Sequence, residues 1–396
     1  MAINTNSDIK LLIDLGMQPI SNRYLTNFDE KEKLYSLKLG QCQITGLIQL
    51  INPVPREELV PRYDWVTYFE PENHLDNLVS RIYELYLNNE NKLVGGISFK
   101  DDSTLKRFEA LGLKTWRIDP KLDLKLGDNA GVESIQAALN LKNGEGIAKR
   151  NGKVDLLIIR HIWEHVFDQE VFSEVLKNII ADDGYMIFEV PDCSNLIENF
   201  DYTMPWEEHL YYYTPTTFRQ SLQNQGFELI DMEVVPYPYE NSLVALVRKQ
   251  TISYVKNEIE KKELDRSLKN GDSYAREYIN QRKKVSKILS EIKMNKQIVL
   301  FGAGHTAGAF INHFSLEEII DAVIDDNINK QGLFMPKSRV PIRDSKILYN
   351  NYPLCLLSVN PIHEENIMLK HKMLIQEGGE IRSICPLSNY YFTIPN

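Results

Sequence analysis

A histidine flanked by carboxylates stands near the middle of the chain, just past a predicted strand. The segment Trp206-Glu207-Glu208-His209 ends in that histidine, and Tyr211 follows it. Neighbouring carboxylates can bring the pKa of a histidine near neutral pH, where it serves as a general base. We therefore predict His209 as a catalytic base that Glu208 orients. The alternative is that His209 is a structural residue in an aromatic loop.

Two further histidines follow an apolar run at 156–159, which is typical of a strand buried on both faces. They are His161 and His165, and they stand just past the end of that run. Both could line the same cleft as His209. A structural role and a functional role are equally compatible with the sequence.

A glycine turn, Gly302-Ala303-Gly304-His305, lies between a predicted strand and a predicted helix. Two glycines permit a tight turn, and the N-terminus of the helix presents N–H groups to an anion. The acidic pair Asp325-Asp326 follows about twenty residues later, where the end of the next strand would face a ribose. The sequence predicts a ligand-binding loop here, with a Rossmann-like unit kept for packing as the alternative.

The elements that position these residues alternate between strands and helices. Predicted strands are 93–98, 114–118, 156–159, 185–190, 298–301, 319–324 and 354–359, and predicted helices are 73–88, 102–111 and 168–180. Such alternation favours parallel sheets covered by helices. The fold class is therefore α/β. A small irregular N-terminal module (1–79) precedes a Rossmann-like domain (80–250), a helical connector (251–296) interrupted near Asn270-Gly271, and a second Rossmann-like domain (297–396).

Composition excludes some classes of protein. The 396 residues carry a net charge of −10, which argues against a nucleic-acid binder. No signal peptide and no apolar stretch of about 20 residues is evident, so we expect a cytoplasmic protein without membrane attachment. The four cysteines include no C-x-x-C pair, so neither a disulfide framework nor a local four-cysteine zinc site is expected.

Several segments, in order along nearly the whole chain, resemble the sugar C-methyltransferases of deoxysugar and O-antigen pathways. LGMQPISN is similar to the family's L-G-x-x-P-L-A-N, EVP to E-V-P, and DDNINKQG followed by Pro336 to D-D-N-x-x-K-Q-G-x-x-x-P. The similar segments are 15–22, 42–50, 112–120, 161–165, 189–191, 206–209 and 325–332. The last motif is long and specific, whereas each of the others is weak alone.

The resemblance implies a function and a set of site residues. Such enzymes use S-adenosylmethionine to methylate a sugar carbon next to a keto group on a nucleotide-linked sugar. The implied catalytic residues are His209, Glu208 and His165. The cofactor-binding candidates are Gly95, Gly96, Asp101, Asp119 and His161. The substrate-binding candidates are Tyr63, Trp65, Trp206, Tyr211, Gly302, Gly304, His305, Asp326 and Lys330. The nucleotide-activated sugar is the expected partner.

The chain also departs from the family pattern. The turn at 98–102 lacks the expected glycines, and Glu207 stands where the family has a histidine. Thr45 occupies the place of a zinc cysteine and leaves Cys42 alone, so we predict no metal. Two alternatives to an active methyltransferase remain. The first is a degenerate methyltransferase-like protein that binds a nucleotide-sugar or a protein partner. The second is an NAD-dependent oxidoreductase that uses the glycine loop at Gly302.

Overall fold

The computed structural model describes residues 8–63, 71–87, 91–127, 130–250, 259–349 and 353–392. The strands are β1 (Ile9–Gln18), β2 (Tyr35–Cys42), β3 (Ile48–Ile51), β4 (Leu93–Gly96), β5 (Lys114–Arg117), β6 (Val154–Arg160), β7 (Ile180–Asp192), β8 (Tyr211–Tyr212), β9 (Phe227–Val235), β10 (Asn241–Lys249), β11 (Ile298–Phe301), β12 (Ala322–Ile324), β13 (Ile342–Arg343), β14 (Leu354–Leu357) and β15 (Glu380–Ser383).

Helices alternate with these strands in the central and C-terminal parts of the chain. They are α1 (Leu75–Ile82), α2 (Asp102–Ala110), α3 (Val132–Ala138), α4 (Leu141–Asn151), α5 (Gln169–Ile179), α6 (Ser194–Glu198), α7 (Pro215–Asn224), α8 (Lys261–Lys293), α9 (His305–Phe314), α10 (Glu364–Lys370) and α11 (Lys372–Gln376). The predicted α/β fold is confirmed.

The N-terminal module is an antiparallel sheet rather than the irregular segment we expected. Its strand order is β1-β2-β3-β8, so the fourth strand comes from the segment that follows His209. Ile48 pairs with Tyr212 and Gln49 with Tyr211. Our prediction missed this sheet because its fourth strand is supplied by a distant part of the chain.

The central sheet has the order β5-β4-β6-β7-β10-β9. Strands β4, β5, β6 and β7 are parallel, and β10 and β9 continue the sheet in antiparallel pairs. Strand β6 is apolar throughout its centre and buried on both faces, as expected for a middle strand. The carboxyl ends of β4, β6 and β7 therefore meet at one edge, where ligands bind in open α/β sheets.

The C-terminal domain is a five-stranded parallel sheet with the order β13-β12-β11-β14-β15. It packs against α8, a single helix of 33 residues. The expected interruption at Asn270-Gly271 is wrong. Gly271 lies inside the helix because the side chain of Gln41 fills the space that a Cβ would need. The predicted start of this connector at 251 lies outside the described residues. Within the described part of the chain, no helix is long and apolar enough to cross a membrane.

Candidate active site

A cavity of about 300 Å³ lies where the N-terminal module, the central domain and the C-terminal domain meet. It sits at the carboxyl ends of β4, β6 and β7. Of the residues that we proposed from the sequence, seven line it: Tyr63, His161, His165, Trp206, Glu208, His209 and His305. Four segments that are far apart in the sequence thus supply one site.

His209 faces other aromatic rings across this cavity. Its ring centroid is 4.7 Å from that of His165 in an edge-to-face arrangement and 4.9 Å from that of Trp206. Burial lowers the pKa of His209 well below its ordinary value, and the charge of His165 lowers it further. A neutral imidazole is the form that can accept a proton.

His165 has the opposite electrostatic environment. Its Nδ1 lies 3.1 Å from Oε1 of Glu133, a buried residue at the start of α3. Burial lowers the pKa of His165, but the hydrogen bond and the charge of Glu133 outweigh it, so the net shift is upward. Sequence reasoning missed Glu133, because a single glutamate in a helix carries no local signal of function.

Glu164 adds a buried carboxylate beside both histidines. It is 1% exposed, and in the described part of the chain neither of its carboxylate oxygens has a hydrogen-bond partner. Donor atoms of Glu164, His165 and His209 lie within 4.8 Å of one another. Two imidazoles and one carboxylate can hold a divalent cation. The absence of a metal therefore stays a prediction.

The two glutamates before His209 have different neighbours. Glu207 is buried and accepts hydrogen bonds from the backbone N–H of Ser21 (2.5 Å) and from its hydroxyl (3.0 Å). Burial raises the pKa of Glu207 to about 7. Burial also raises the pKa of Glu208 well above its ordinary value, and the charges of Glu133 and Glu207 add to this. Both carboxyl groups thus favour the protonated form more than exposed glutamates do.

His305, the first residue of α9, joins the C-terminal domain to this site. Its ring stacks on Trp206 with centroids 4.8 Å apart. Its Nε2 is 2.8 Å from the carbonyl oxygen of Thr203, and its Nδ1 is 3.3 Å from the hydroxyl of Ser21. Burial lowers the pKa of His305 to about 3. A neutral His305 therefore contacts both other domains from the C-terminal domain.

Side chains of the C-terminal domain form hydrogen bonds at the glycine loop before α9. The ammonium group of Lys330 donates to the carbonyl of Ala303 (2.9 Å) and to Asp325 (3.0 Å), and Asp326 is paired with Lys370 (2.6 Å). Four substrate-binding candidates thus lie outside the cavity lining: Gly302, Gly304, Asp326 and Lys330. Tyr211 is likewise outside it, in β8, and Trp65 lies outside the described residues. Their roles stay predictions.

Only one of the five cofactor-binding candidates lines the cavity. His161 lines the cavity, whereas Gly95, Gly96, Asp101 and Asp119 do not. The two glycines lie in β4, where neighbouring side chains occupy the space that a Cβ would fill. Asp119 accepts hydrogen bonds from the backbone N–H groups of residues 121 and 122. The two glycines thus serve the packing of β4, and Asp119 stabilises a local turn.

The loop after β4 contains the buried carboxylate of Asp101 where a glycine turn was expected. It accepts backbone hydrogen bonds from Ile97 (2.7 Å), Ser98 (2.9 Å) and Arg160 (2.9 Å). Burial raises the pKa of Asp101 to about 6. Three N–H donors on one carboxylate fix the loop without glycine.

A buried ion pair under this edge of the sheet was also missed. Nε of Arg160 lies 2.5 Å from Glu189, and both side chains are at most 1% exposed. Nε2 of His74 is 3.2 Å from the same carboxylate. The sequence shows charged residues at the ends of β6 and β7 but gives no sign that they pair with each other.

Three family models match consecutive parts of the chain. A putative zinc-binding domain matches residues 4–59, a methyltransferase domain residues 96–232, and a C-methyltransferase C-terminal domain residues 243–387. The C-methyltransferase NovU of Streptomyces niveus is 22% identical over 391 residues, which cover 95% of this chain and 92% of that protein. The predicted domain bounds themselves stay predictions.

Two solved structures show local similarity. The N1-methyltransferase of 1,6-didemethyltoxoflavin from Burkholderia thailandensis is 13% identical over 52% of this chain and 96% of its own, with a TM-score of 0.28. The magnesium protoporphyrin IX methyltransferase of Synechocystis PCC 6803 is 15% identical over 49% of this chain and 93% of its own, with a TM-score of 0.31.

The family matches confirm the predicted class of protein. The chain is a methyltransferase. More closely, it is related to the C-methyltransferases, whose C-terminal domain it shares.

The zinc that the first family model implies does not fit this chain. Residues 4–59 contain one cysteine, Cys42, and no histidine. The turn after Cys42 is held by hydrogen bonds instead: Gln41 donates to the carbonyls of Gly46 (2.9 Å) and Ser267 (2.8 Å). A structural zinc site needs four N or S ligands, so this module does not provide one.

Proposed function

We propose that the protein methylates a carbon next to a keto group on a nucleotide-linked sugar, with His209 as the base. The observation that carries this proposal is that the imidazole of His209 lines a cavity that three domains enclose, beside the ring of His165. S-adenosylmethionine, when bound, supplies an electrophilic methyl group. A carbon nucleophile is needed to accept it, and proton removal next to a carbonyl is the common way to make one.

The chain's own residues have separate tasks in this reaction. His209 takes the proton from the carbon, while Glu208 lies beside it with a carboxyl group whose pKa burial raises well above its ordinary value. Phe99, Lys100 and His161 line the cavity at the ends of β4 and β6. In a doubly wound sheet this edge holds the cofactor, so these three residues would contact it. Enclosure by three domains would also exclude water from the carbanion.

Cationic and aromatic side chains in the cavity lining support a nucleotide-linked substrate. Arg23 and Arg62 both line the cavity, and burial and then the charge of Arg62 lower the pKa of Arg23. A diphosphate would relieve the repulsion between these two arginines. Tyr63 and Trp206 offer aromatic faces in the same cavity. Such faces suit a base or a sugar ring.

The test is a methyl-transfer assay with radiolabelled S-adenosylmethionine and a panel of nucleotide-linked keto-deoxysugars. His209→Asn should lower turnover by about 10²- to 10⁴-fold, the range typical of a general base, with unchanged cofactor binding by calorimetry. His363→Asn is the matched control, because His363 is exposed and lies outside the cavity. Full turnover in His209→Asn would sink the assignment of the base. No transfer to any keto-sugar by the wild-type protein would sink the substrate class.

A further inference from the structure

A buried carboxylate lies beside the two histidines of the cavity. Glu164 is 1% exposed, and among the residues that the structure describes neither of its carboxylate oxygens has a hydrogen-bond partner. Burying such a group is costly unless a cation or a donor meets it. We propose that Glu164, His165 and His209 form a reversible inhibitory site for a divalent transition-metal ion of the Zn²⁺ type. The binding of the ion is independent of the proposed function, whereas the inhibition rests on it.

The backbone holds the three side chains together. Glu164 and His165 are neighbours in the turn after β6, and the carbonyl of Glu164 accepts a hydrogen bond from the N–H of Leu210, the residue after His209 (2.9 Å). One donor atom from each side chain lies within 4.8 Å of the other two. Nε2 of His165 is 3.9 Å from Oε1 of Glu164. Neighbouring ligand atoms of tetrahedral zinc are about 3.3 Å apart, so side-chain movements of about 1.5 Å or less complete the set.

The donor set selects the kind of ion. Two imidazole nitrogens with one carboxylate oxygen suit Zn²⁺, Co²⁺ or Ni²⁺, whereas Mg²⁺ and Ca²⁺ prefer oxygen ligands alone. Oε1 of Glu133 lies 3.1 Å from Nδ1 of His165, on the side of the ring away from Glu164. A carboxylate next to the second nitrogen of a histidine ligand is the usual support of such a site. The cavity leaves room for a water as fourth ligand and gives the ion an entry path.

The bound ion would block the reaction because it occupies the lone pair with which His209 takes the proton. Coordination exchanges water ligands of the ion for protein atoms, so no covalent bond breaks and no electron is transferred. The chain supplies three ligands rather than four, and these must move to reach the ion. We therefore expect micromolar affinity, and an ion that is lost during purification.

The first experiment measures binding of the metal alone. Metal-free, full-length protein is titrated with Co²⁺, whose visible d–d bands report four-coordinate geometry, and Zn²⁺ then displaces it. We expect one equivalent to bind, and Glu164→Gln and His165→Asn each to weaken binding by about 10- to 100-fold or more. Glu145→Gln and His363→Asn, at exposed positions, are the matched controls and should change nothing. No saturable binding at millimolar Co²⁺, or equal affinity in the wild type and the two site variants, would overturn the proposal.

The second experiment tests the part of His209. Replacing this ligand with asparagine should weaken Co²⁺ binding as much as His165→Asn does, and an unchanged affinity would remove His209 from the site. In the methyl-transfer assay Zn²⁺ should inhibit the wild type in step with occupancy, a chelator should restore turnover, and Glu164→Gln should need at least about 10-fold more Zn²⁺. Full turnover at saturating Zn²⁺, or equal inhibition of Glu164→Gln, would show that the inhibitory site is wrong. If the wild type transfers no methyl group even without Zn²⁺, the proposed function fails, and the Co²⁺ titration decides the metal site by itself.

Discussion

The indole of Trp206 stacks on the imidazole of His305, with the ring planes 29° from parallel. Trp206 begins the segment that carries the base, and His305 is the first residue of α9 in the C-terminal domain. A hydrogen bond from His305 to the carbonyl of Thr203 holds the backbone just before that segment. The C-terminal domain therefore helps to position His209, although it supplies no base of its own.

Replacement of His305 should weaken catalysis more than cofactor binding. His305→Ala removes the stacking with Trp206 and leaves the buried carbonyl of Thr203 without its donor, a loss of about 1–3 kcal/mol. We expect about a 10-fold lower kcat, since His209 gains freedom, and a lower unfolding midpoint. Steady-state kinetics and calorimetric titration of the cofactor separate the two effects. His363→Ala serves as the control, and equal kcat in both variants would contradict a positioning role.

The pKa of Glu207, raised by burial to about 7, predicts a stability that depends on pH. The folded state binds a proton more tightly than the unfolded state, so stability is fully present below the ordinary glutamate pKa of 4.5 and declines as pH rises to about 7. Glu207→Gln should remove this decline, which amounts to roughly 3 kcal/mol or less. Urea unfolding at pH 4.5, 5.5, 6.5 and 7.5 measures it. Parallel profiles of wild type and variant would show that folding leaves the pKa of Glu207 unchanged and would contradict this prediction.

A methyl group at Gly271 should destabilise the protein, although alanine favours helix. The Cβ would collide with the amide of Gln41, which is 1% exposed and held by two carbonyls, so the clash is not relieved by a rotamer change. We expect Gly271→Ala to cost about 1–3 kcal/mol. Gln41→Ala should then be less harmful in the Gly271→Ala background than alone. Thermal unfolding of the four proteins in this cycle checks the coupling, and additive effects would contradict the packing.

Purified protein should contain well below one equivalent of zinc by elemental analysis. A chelator should leave the unfolding midpoint unchanged, since hydrogen bonds from Gln41 hold the turn where the family model implies a metal. One zinc per chain would contradict this prediction. Its retention in Cys42→Ser and loss in His165→Asn would then place the ion in the active-site cavity.

Local sequence patterns predicted much of the fold. The apolar run of β6 and the alternation of strands and helices predicted the parallel strands of both sheets, since a middle strand of such a sheet is buried on both faces. The predicted strand at 319–324 begins only at Ala322, because the residues before it pack as a turn. The antiparallel sheet of the N-terminal module was missed, because β8 joins it from about 160 residues away.

The sequence by itself determined the class of enzyme and the segments that carry its histidines, because strand ends and short motifs are relations between near neighbours in the chain. Only the tertiary structure decided which side chains meet. Glu133 contacts His165 across 32 positions, Ser21 contacts Glu207 across 186, and Arg160 pairs with Glu189 across 29. Such contacts depend on how whole domains pack, and a buried charge acquires its pKa from whichever partner that packing brings within a few ångströms.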